Sequence, residues 1–333
     1  MADGDVSRFV EPDTAALLAR MAGDFAGAPA EPSVEERRQG LAAAALLYGP
    51  EPAVVARVET AAAPGPNGPV PLRIYRPLGA PRRGPAAIHI HGGGWVLGGP
   101  DSYERVARAY CAASGCVVVD VDYRRAPEHR YPVALEDCLA ALDWVRRNAR
   151  RLGVDRRRLV VTGDSAGGHL AAAVCQQTRV QVALQILVYP VTSASARANF
   201  ASRRDLGDGR YFLREFDILR AETEFFAADV DRERAPASPL LARPSTLRRQ
   251  PPTVVITAGL DPLADEGAAY AAAIRDAGGR SEEIRVEGVI HGFVLFAGQI
   301  GRGREIIAEI GRRIAETRPA RLASGWSLFS WRG

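Results

Sequence analysis

The spacing of hydrophobic residues changes twice along this chain. Residues 1–50 carry apolar side chains at helical spacing in an Ala-rich background, interrupted at Pro29 and Pro32. That pattern predicts two or three short helices. Leu17, Leu18, Met21 and Phe25 make one apolar stripe within it. Val54 to Thr60 and Val70 to Arg76 then alternate, separated by Pro64-Gly65-Pro66-Asn67-Gly68. Alternation around a Pro/Gly/Asn turn predicts a hairpin of antiparallel edge strands. From there the strands become continuously apolar, at Ala86–Ile90, Cys116–Val121, Leu159–Thr162, Val182–Val188, Thr253–Thr257 and Glu283–Val286. Helical patterns separate most of them, at about 101–114, 133–151, 166–178 and 263–277, and a last helix falls at about 302–317. Continuously apolar strands alternating with helices predict a mostly parallel, eight-stranded sheet covered on both faces.

The interval from Pro190 to Pro252 departs from this rhythm. It is polar and Arg-rich, with one helical stretch from about Glu215 to Ala228, and it is too long for a connecting loop. It reads as an insertion. Its apolar residues Phe216, Ile218, Leu219, Phe225 and Phe226 have no place in the expected sheet, and neither has the stripe at Leu17–Phe25. The simplest expectation is that these two orphan faces bury each other above the strand ends. The terminal stretch Ala323 to Gly333, with Trp326, Phe329 and Trp331, suggests no assignment.

Composition narrows the chemistry. All 43 basic residues are arginine, so mechanisms that need an amine side chain are excluded. Net charge is +4, but the arginines are scattered. The densest run, Arg156-Arg157-Arg158, has no interleaved aromatics and reads as a solvated loop before a strand, so no nucleic-acid partner is expected. Cys111, Cys116, Cys138 and Cys175 lack Cys-x-x-Cys spacing, which fits a reducing, cytoplasmic setting. The acidic start, Met1-Ala2-Asp3-Gly4-Asp5, has no apolar signal core, and Leu41 to Leu47 is too short to span a bilayer. No membrane insertion is expected.

The informative stretch is Gly163-Asp164-Ser165-Ala166-Gly167, set between the strand Leu159–Thr162 and a helical run from His169. A Gly-x-Ser-x-Gly turn between strand and helix is the setting of a nucleophile elbow. It holds a serine hydroxyl in open space, with free helix N–H groups beside it. The competing reading is an ordinary turn with Ser165 as an N-cap. His91-Gly92-Gly93-Gly94-Trp95 follows another strand and matches the His-Gly-Gly-Gly pattern that supplies oxyanion donors together with the residue after the nucleophile, here Ala166. Asp261 lies just past a strand end, where a carboxylate orients a histidine, and His291-Gly292-Phe293 lies in a loop after the last strand. The order Ser165, Asp261, His291 is that of α/β-hydrolases. Of the five histidines, the other four are poorer bases. His89 and His91 share a strand end but have no third ligand at metal spacing, so neither metal nor cofactor is expected. His129 sits in a proline-flanked loop, and His169 lies one turn past Ser165, beneath the elbow, as a packing residue.

These motifs, with Asp122-Tyr123-Arg124-Arg125-Ala126-Pro127-Glu128-His129 and Asp261-Pro262-Leu263-Ala264-Asp265-Glu266, resemble the hormone-sensitive-lipase-like esterases from about residue 70 to 318. The resemblance implies an α/β-hydrolase fold and a serine carboxylesterase acting on short- to medium-chain acyl esters. It implies Ser165 as nucleophile, His291 as base, Asp261 as its orienter, and Gly93, Gly94 and Ala166 as the oxyanion hole. It implies a helical cap made of residues 1–50 and 191–250 over a hydrolase core of 51–190 and 251–333. Arg125 stands where leucine is common in that family, and His169 where asparagine is frequent. An amide hydrolase of arylformamidase or deacetylase type would use the same triad, and a non-catalytic ligand receptor would share the scaffold. The receptor of that family lacks the catalytic histidine, which His291 supplies here. A small-molecule ester is the expected partner, and a homodimer stays open.

Overall fold

The computed structural model describes residues 8–320, apart from 28, 30, 80, 82 and 197. Trp326, Phe329 and Trp331 lie outside the described residues. The chain begins with helices α1 (Pro12–Asp24) and α2 (Val34–Tyr48). Proline at the first position of α1 supplies a preset φ where no N–H partner is needed. A capping box starts α2: the Ser33 hydroxyl accepts from the Glu36 N–H at 3.2 Å, and the Glu36 carboxylate accepts from the Ser33 N–H at 2.8 Å.

Strands β1 (Arg57–Gly65) and β2 (Gly68–Arg76) form the expected hairpin, with Pro66 and Asn67 at its tip. The alternating units follow: β3 (Gly84–Ile90), α3 (Glu104–Ser114), β4 (Val117–Val121), α4 (Val133–Arg147), α5 (Ala149–Leu152), β5 (Val154–Asp164), α6 (Ala166–Gln177) and β6 (Leu184–Val188). The 191–250 interval holds α7 (Ala201–Leu206), α8 (Glu215–Phe225) and α9 (Pro244–Leu247). The core resumes with β7 (Thr253–Leu260), α10 (Ala264–Asp276), β8 (Ser281–Ile290) and α11 (Gly301–Ala315).

All eight strands form one sheet in the order β1-β2-β4-β3-β5-β6-β7-β8. Every pair from β4 to β8 is parallel, and β1–β2 and β2–β4 are antiparallel. Only β1 of the hairpin is therefore an edge, because β2 is hydrogen-bonded on both sides. Residues from α4, α6 and α10 pack one face of the sheet, and residues from α3 and α11 pack the other. Burial on both faces is why β3, β4 and β7 are buried at every position.

Two further expectations change. Arg156–Arg158 is not in a loop but within β5, which starts at Val154 across a register shift from β3. The side chains there stand at the rim, and Arg158 donates to the Thr317 carbonyl at 2.7 Å beyond the end of α11. The α1 stripe also finds a different partner. Leu17 and Met21 join the core face containing Tyr48, Phe296 and Ile307, whereas Ile218, Phe225 and Phe226 belong to the opposite core. Hydrogen bonds explain the docking: the Glu11 N–H donates to the Gly288 carbonyl at 2.9 Å, and the Asp13 carboxylate accepts from the Gly301 N–H at 2.7 Å. It is α2 that meets the insertion, through Arg37 and Glu224 at 2.6 Å. Phe216 and Leu219 remain exposed.

Candidate active site

β5 ends at Asp164, Ser165 takes φ 54° and ψ −122°, and α6 starts at the next residue. Such a backbone is strained for a residue with a Cβ and persists because its surroundings enforce it. The Ser165 N–H donates to the Val188 carbonyl at 2.9 Å, and the Ser165 carbonyl accepts from the His169 N–H at 3.0 Å. The flanking glycines permit the close approach. A Cβ on Gly163 would lie 2.3 Å from the Gly167 carbonyl oxygen, and one on Gly167 would lie 2.0 Å from that of Ile90.

The structure brings Ser165, His291 and Asp261 together. Ser165 Oγ lies 2.9 Å from His291 Nε2, and His291 Nδ1 lies 2.7 Å from Asp261 Oδ2. Asp261 is fully buried at the end of β7, and its other oxygen accepts from the Leu263 N–H at 2.8 Å. With the carboxylate facing Nδ1, that nitrogen carries the hydrogen and Nε2 is left to accept from the serine. The Tyr189 ring sits 4.6 Å from the imidazole, centroid to centroid, on a residue at φ 34°.

Gly93 and Gly94 have φ values of 111° and 61°, which glycine alone adopts without strain. Among the described residues, no hydrogen bond uses the N–H of Gly93, Gly94 or Ala166. Asp164 anchors this loop from below, accepting from the Gly92 N–H at 3.0 Å and from the Tyr103 hydroxyl at 2.9 Å. Burial pushes the Asp164 carboxyl above the usual carboxylate range, although His89 and these donors pull it down. His89 pairs with Asp120 at 2.8 Å; burial opposes its charge, but the two nearby carboxylates outweigh that and raise it. His91 donates to the Gly92 carbonyl at 2.8 Å, and burial holds its pKa down at about 4. The two histidines thus turn to different partners. Arg38 of α2 holds the far end of the loop, donating to the Val96 carbonyl at 2.9 Å and the Ala126 carbonyl at 3.1 Å. Arg125 donates to the Gly98 carbonyl.

A largely apolar cavity of about 210 Å³ opens over Ser165 and His291. Leu41 of α2, Leu213, Ile218 and Ala221 of the insertion, and Phe296 form its walls. Among the described residues, no helix is long and apolar enough to cross a membrane.

Sequence reasoning assigned no role to Asp164, Tyr103, Tyr189, Arg38 or the His89–Asp120 pair. Asp164 was visible as the variable residue of the elbow, since a carboxylate beside a nucleophile needs partners. The others are brought in by tertiary pairing, and no local pattern marks them. His129 is exposed and takes no part.

The alpha/beta hydrolase fold family model matches residues 87–295. Esterase LipI of Mycobacterium tuberculosis is 34% identical over 256 residues, which is 75% of this chain and 78% of that protein. The ethyl acetate hydrolase of Pseudomonas putida is 33% identical over 86% of this chain and 92% of its own length. Among solved structures, the hyperthermophilic esterase of Pyrobaculum calidifontis superposes with a TM-score of 0.85 at 35% identity, covering 92% of this chain and 98% of that one. The shared fold, the matched family model and this level of identity agree with one another, and the chain belongs to the hormone-sensitive-lipase-like esterase family of α/β-hydrolases.

Proposed function

We propose that this protein is a serine carboxylesterase acting on short- to medium-chain acyl esters, with Ser165 as nucleophile, His291 as base and Asp261 as its orienter. The observation that carries the reading is the continuous chain of contacts from Ser165 Oγ to His291 Nε2 at 2.9 Å and from His291 Nδ1 to Asp261 at 2.7 Å. Ser165 Oγ bonds to the ester carbonyl carbon as its proton passes to His291 Nε2. The carbonyl π electrons move onto oxygen, which rests on the N–H groups of Gly93, Gly94 and Ala166. Collapse of this tetrahedral species breaks the C–O bond to the alcohol, and His291 returns the proton to the departing oxygen. Water then repeats the sequence on the acyl-serine, releasing the acid and restoring the hydroxyl. Asp261 stays ionised and stabilises the imidazolium at each step. Each oxyanion donor contributes about 3 kcal/mol to the transition state.

In this reading α1–α2 and α7–α8 are the two parts of a cap, and their meeting at Arg37 and Glu224 closes the acyl cavity. The relatives carry esterase and carboxylesterase names, which favours esters over amides as the substrate. Four buried cysteines, all free thiols, support the cytoplasmic placement. The test is turnover of a p-nitrophenyl ester by Ser165→Ala and His291→Ala. Each change is expected to remove nearly all activity, and the double variant to lose no more than either single, because the residues act as a unit. A Ser165→Ala protein retaining a tenth of the activity overturns the assignment.

A further inference from the structure

We propose that His169 is a positioning residue for the oxyanion loop, setting the Gly93 and Gly94 N–H groups relative to Ser165 by holding the Trp95 indole. This rests on the functional reading given above.

Trp95 directly follows Gly94 and has φ 59°, a left-handed conformation that a bulky side chain adopts only when its surroundings enforce it. Trp95 is almost wholly buried, so the restraint comes from its side chain and carbonyl. The Trp95 carbonyl accepts from the Ala126 N–H at 3.0 Å. Its ring lies flat on Phe225, with centroids 4.7 Å apart and planes 2° from parallel. Stacking sets the plane of the ring but lets it slide. The indole N–H supplies the directional contact, donating to His169 Nδ1 at 3.1 Å.

His169 is suited to receive it. An indole N–H only donates, so Nδ1 must accept, and the imidazole hydrogen is on Nε2. Nε2 in turn lies 3.1 Å from the Ala237 carbonyl, which accepts that hydrogen. Both ring nitrogens are therefore used, in one tautomer. Burial holds the His169 pKa down at about 4, so the neutral ring persists through the working pH range. His169 sits on α6 one turn past Ser165, and its N–H is bonded to the Ser165 carbonyl at 3.0 Å. One side chain thus joins the nucleophile helix, the residue after the oxyanion glycines, and the 191–250 insertion. The packing role expected for His169 is present, with Phe225 and Phe226 rings edge-on to it, but apolar packing alone does not require a hydrogen-bonded ring in one tautomer.

Leucine at this position fills space and leaves the Trp95 N–H unpaired. Asparagine, with one acceptor and one donor on a shorter arm, retains both kinds of contact. The experiment compares His169→Leu, His169→Asn, Trp95→Phe and the Trp95→Phe/His169→Leu double variant on a p-nitrophenyl ester, with inhibition by an alkyl trifluoromethyl ketone. That inhibitor forms a tetrahedral adduct whose oxygen sits in the oxyanion hole. For His169→Leu we expect kcat to fall tenfold or more, KM to stay within threefold, and the ketone Ki to rise in proportion to the loss of kcat/KM. His169→Asn recovers most of the loss, and the double variant is no worse than the weaker single. If His169→Leu does not fold, Trp95→Phe carries the same expectation for kcat and Ki. Variants that lose thermal stability but keep kcat and Ki within twofold of the parent overturn the proposal and leave His169 as packing alone. Ser165→Ala in the same assay separates the two readings. If it keeps activity, the site assignment itself fails; if it is inactive while His169→Leu is not impaired, only the role of His169 fails.

Discussion

Arg37 Nη2 lies 2.6 Å from Glu224 Oε1, joining α2 to α8 across 187 residues of sequence. Both side chains are mostly buried, and Arg37 also lines the cavity over Ser165. Arg220 of α8 reaches back to the Pro32 carbonyl at 2.9 Å, two residues before α2 begins, so α8 is tied to this segment at a second point. Breaking a part-buried ion pair of this kind costs about 1 kcal/mol. Arg37→Met is expected to raise KM about threefold to tenfold with kcat little changed, because the wall of the cavity loosens while the reacting groups stay in place. Steady-state kinetics on one ester decide it, and unchanged KM would show that the contact does not shape the cavity.

A second prediction follows from the elbow. Gly167 faces the Ile90 and His91 carbonyl oxygens, at 2.0 and 2.4 Å from the position of a Cβ. Those oxygens belong to the end of β3 and the start of the loop that carries Gly92 to Gly94, and as backbone atoms they cannot rotate away. Gly167→Ala is expected to displace the helix from the sheet, lowering Tm and abolishing turnover, at a cost of at least about 1–3 kcal/mol. Gly23→Ala, at a site with nothing within 4 Å of the new Cβ, is the control and should leave activity unchanged.

The contrast between these two sites shows what was legible in the chain. Gly163, Ser165 and Gly167 announce themselves because a turn with no room for side chains leaves a local signature. The parallel strands were equally plain, since burial on both faces leaves β3, β4 and β7 without an exposed position and makes their sequences mostly apolar. The docking of α1 was not. A stripe such as Leu17 and Met21 says that a face is buried, but not against what, and here the bond from Glu11 to Gly288 decided it. The arginines at 156–158 misled for a related reason, because a strand can run past the end of its layer while its charges reach water. The partners of His169 lie 74 and 68 residues away, beyond any local pattern.

Glu222 predicts a pH dependence of stability. It is buried 3.6 Å from Arg203 and 3.4 Å from Arg232, and burial pushes its carboxyl up to about 7 against the pull of Arg203. A raised pKa means that the folded chain holds this proton more tightly than the unfolded one. The stabilising contribution is therefore complete below the ordinary value of 4.5 and is lost as pH climbs to about 7. Glu222→Gln keeps the neutral form at every pH. Its Tm relative to the parent should improve by about 2–4 °C or more between pH 5 and pH 8. A Tm difference that is the same at both pH values would show that the carboxyl is not raised.

The cavity walls predict the acyl-chain preference. Ile218 and Ala221 present one face of α8 to the space above Ser165, and a Cβ at Gly94 would stand 3.0 Å from that of Ala221. The insertion therefore closes directly on the loop at Gly93 and Gly94, and the cavity of about 210 Å³ ends against side chains. Each methylene that enters such a space gains about 0.8 kcal/mol, or about fourfold in kcat/KM, until the wall is reached. Beyond it a further methylene must stay in water or displace α8, and the gain reverses. A series of p-nitrophenyl esters should rise and then fall, with the best acyl chain at about eight carbons or fewer, counting about fourfold per methylene on the rising side. Ile218→Ala shortens the side chain that bounds the cavity and should move the maximum to a longer chain while leaving acetate turnover near that of the parent. An unmoved maximum in a folded Ile218→Ala protein would place the end of the acyl chain elsewhere in the lining, against Leu41 or Phe296.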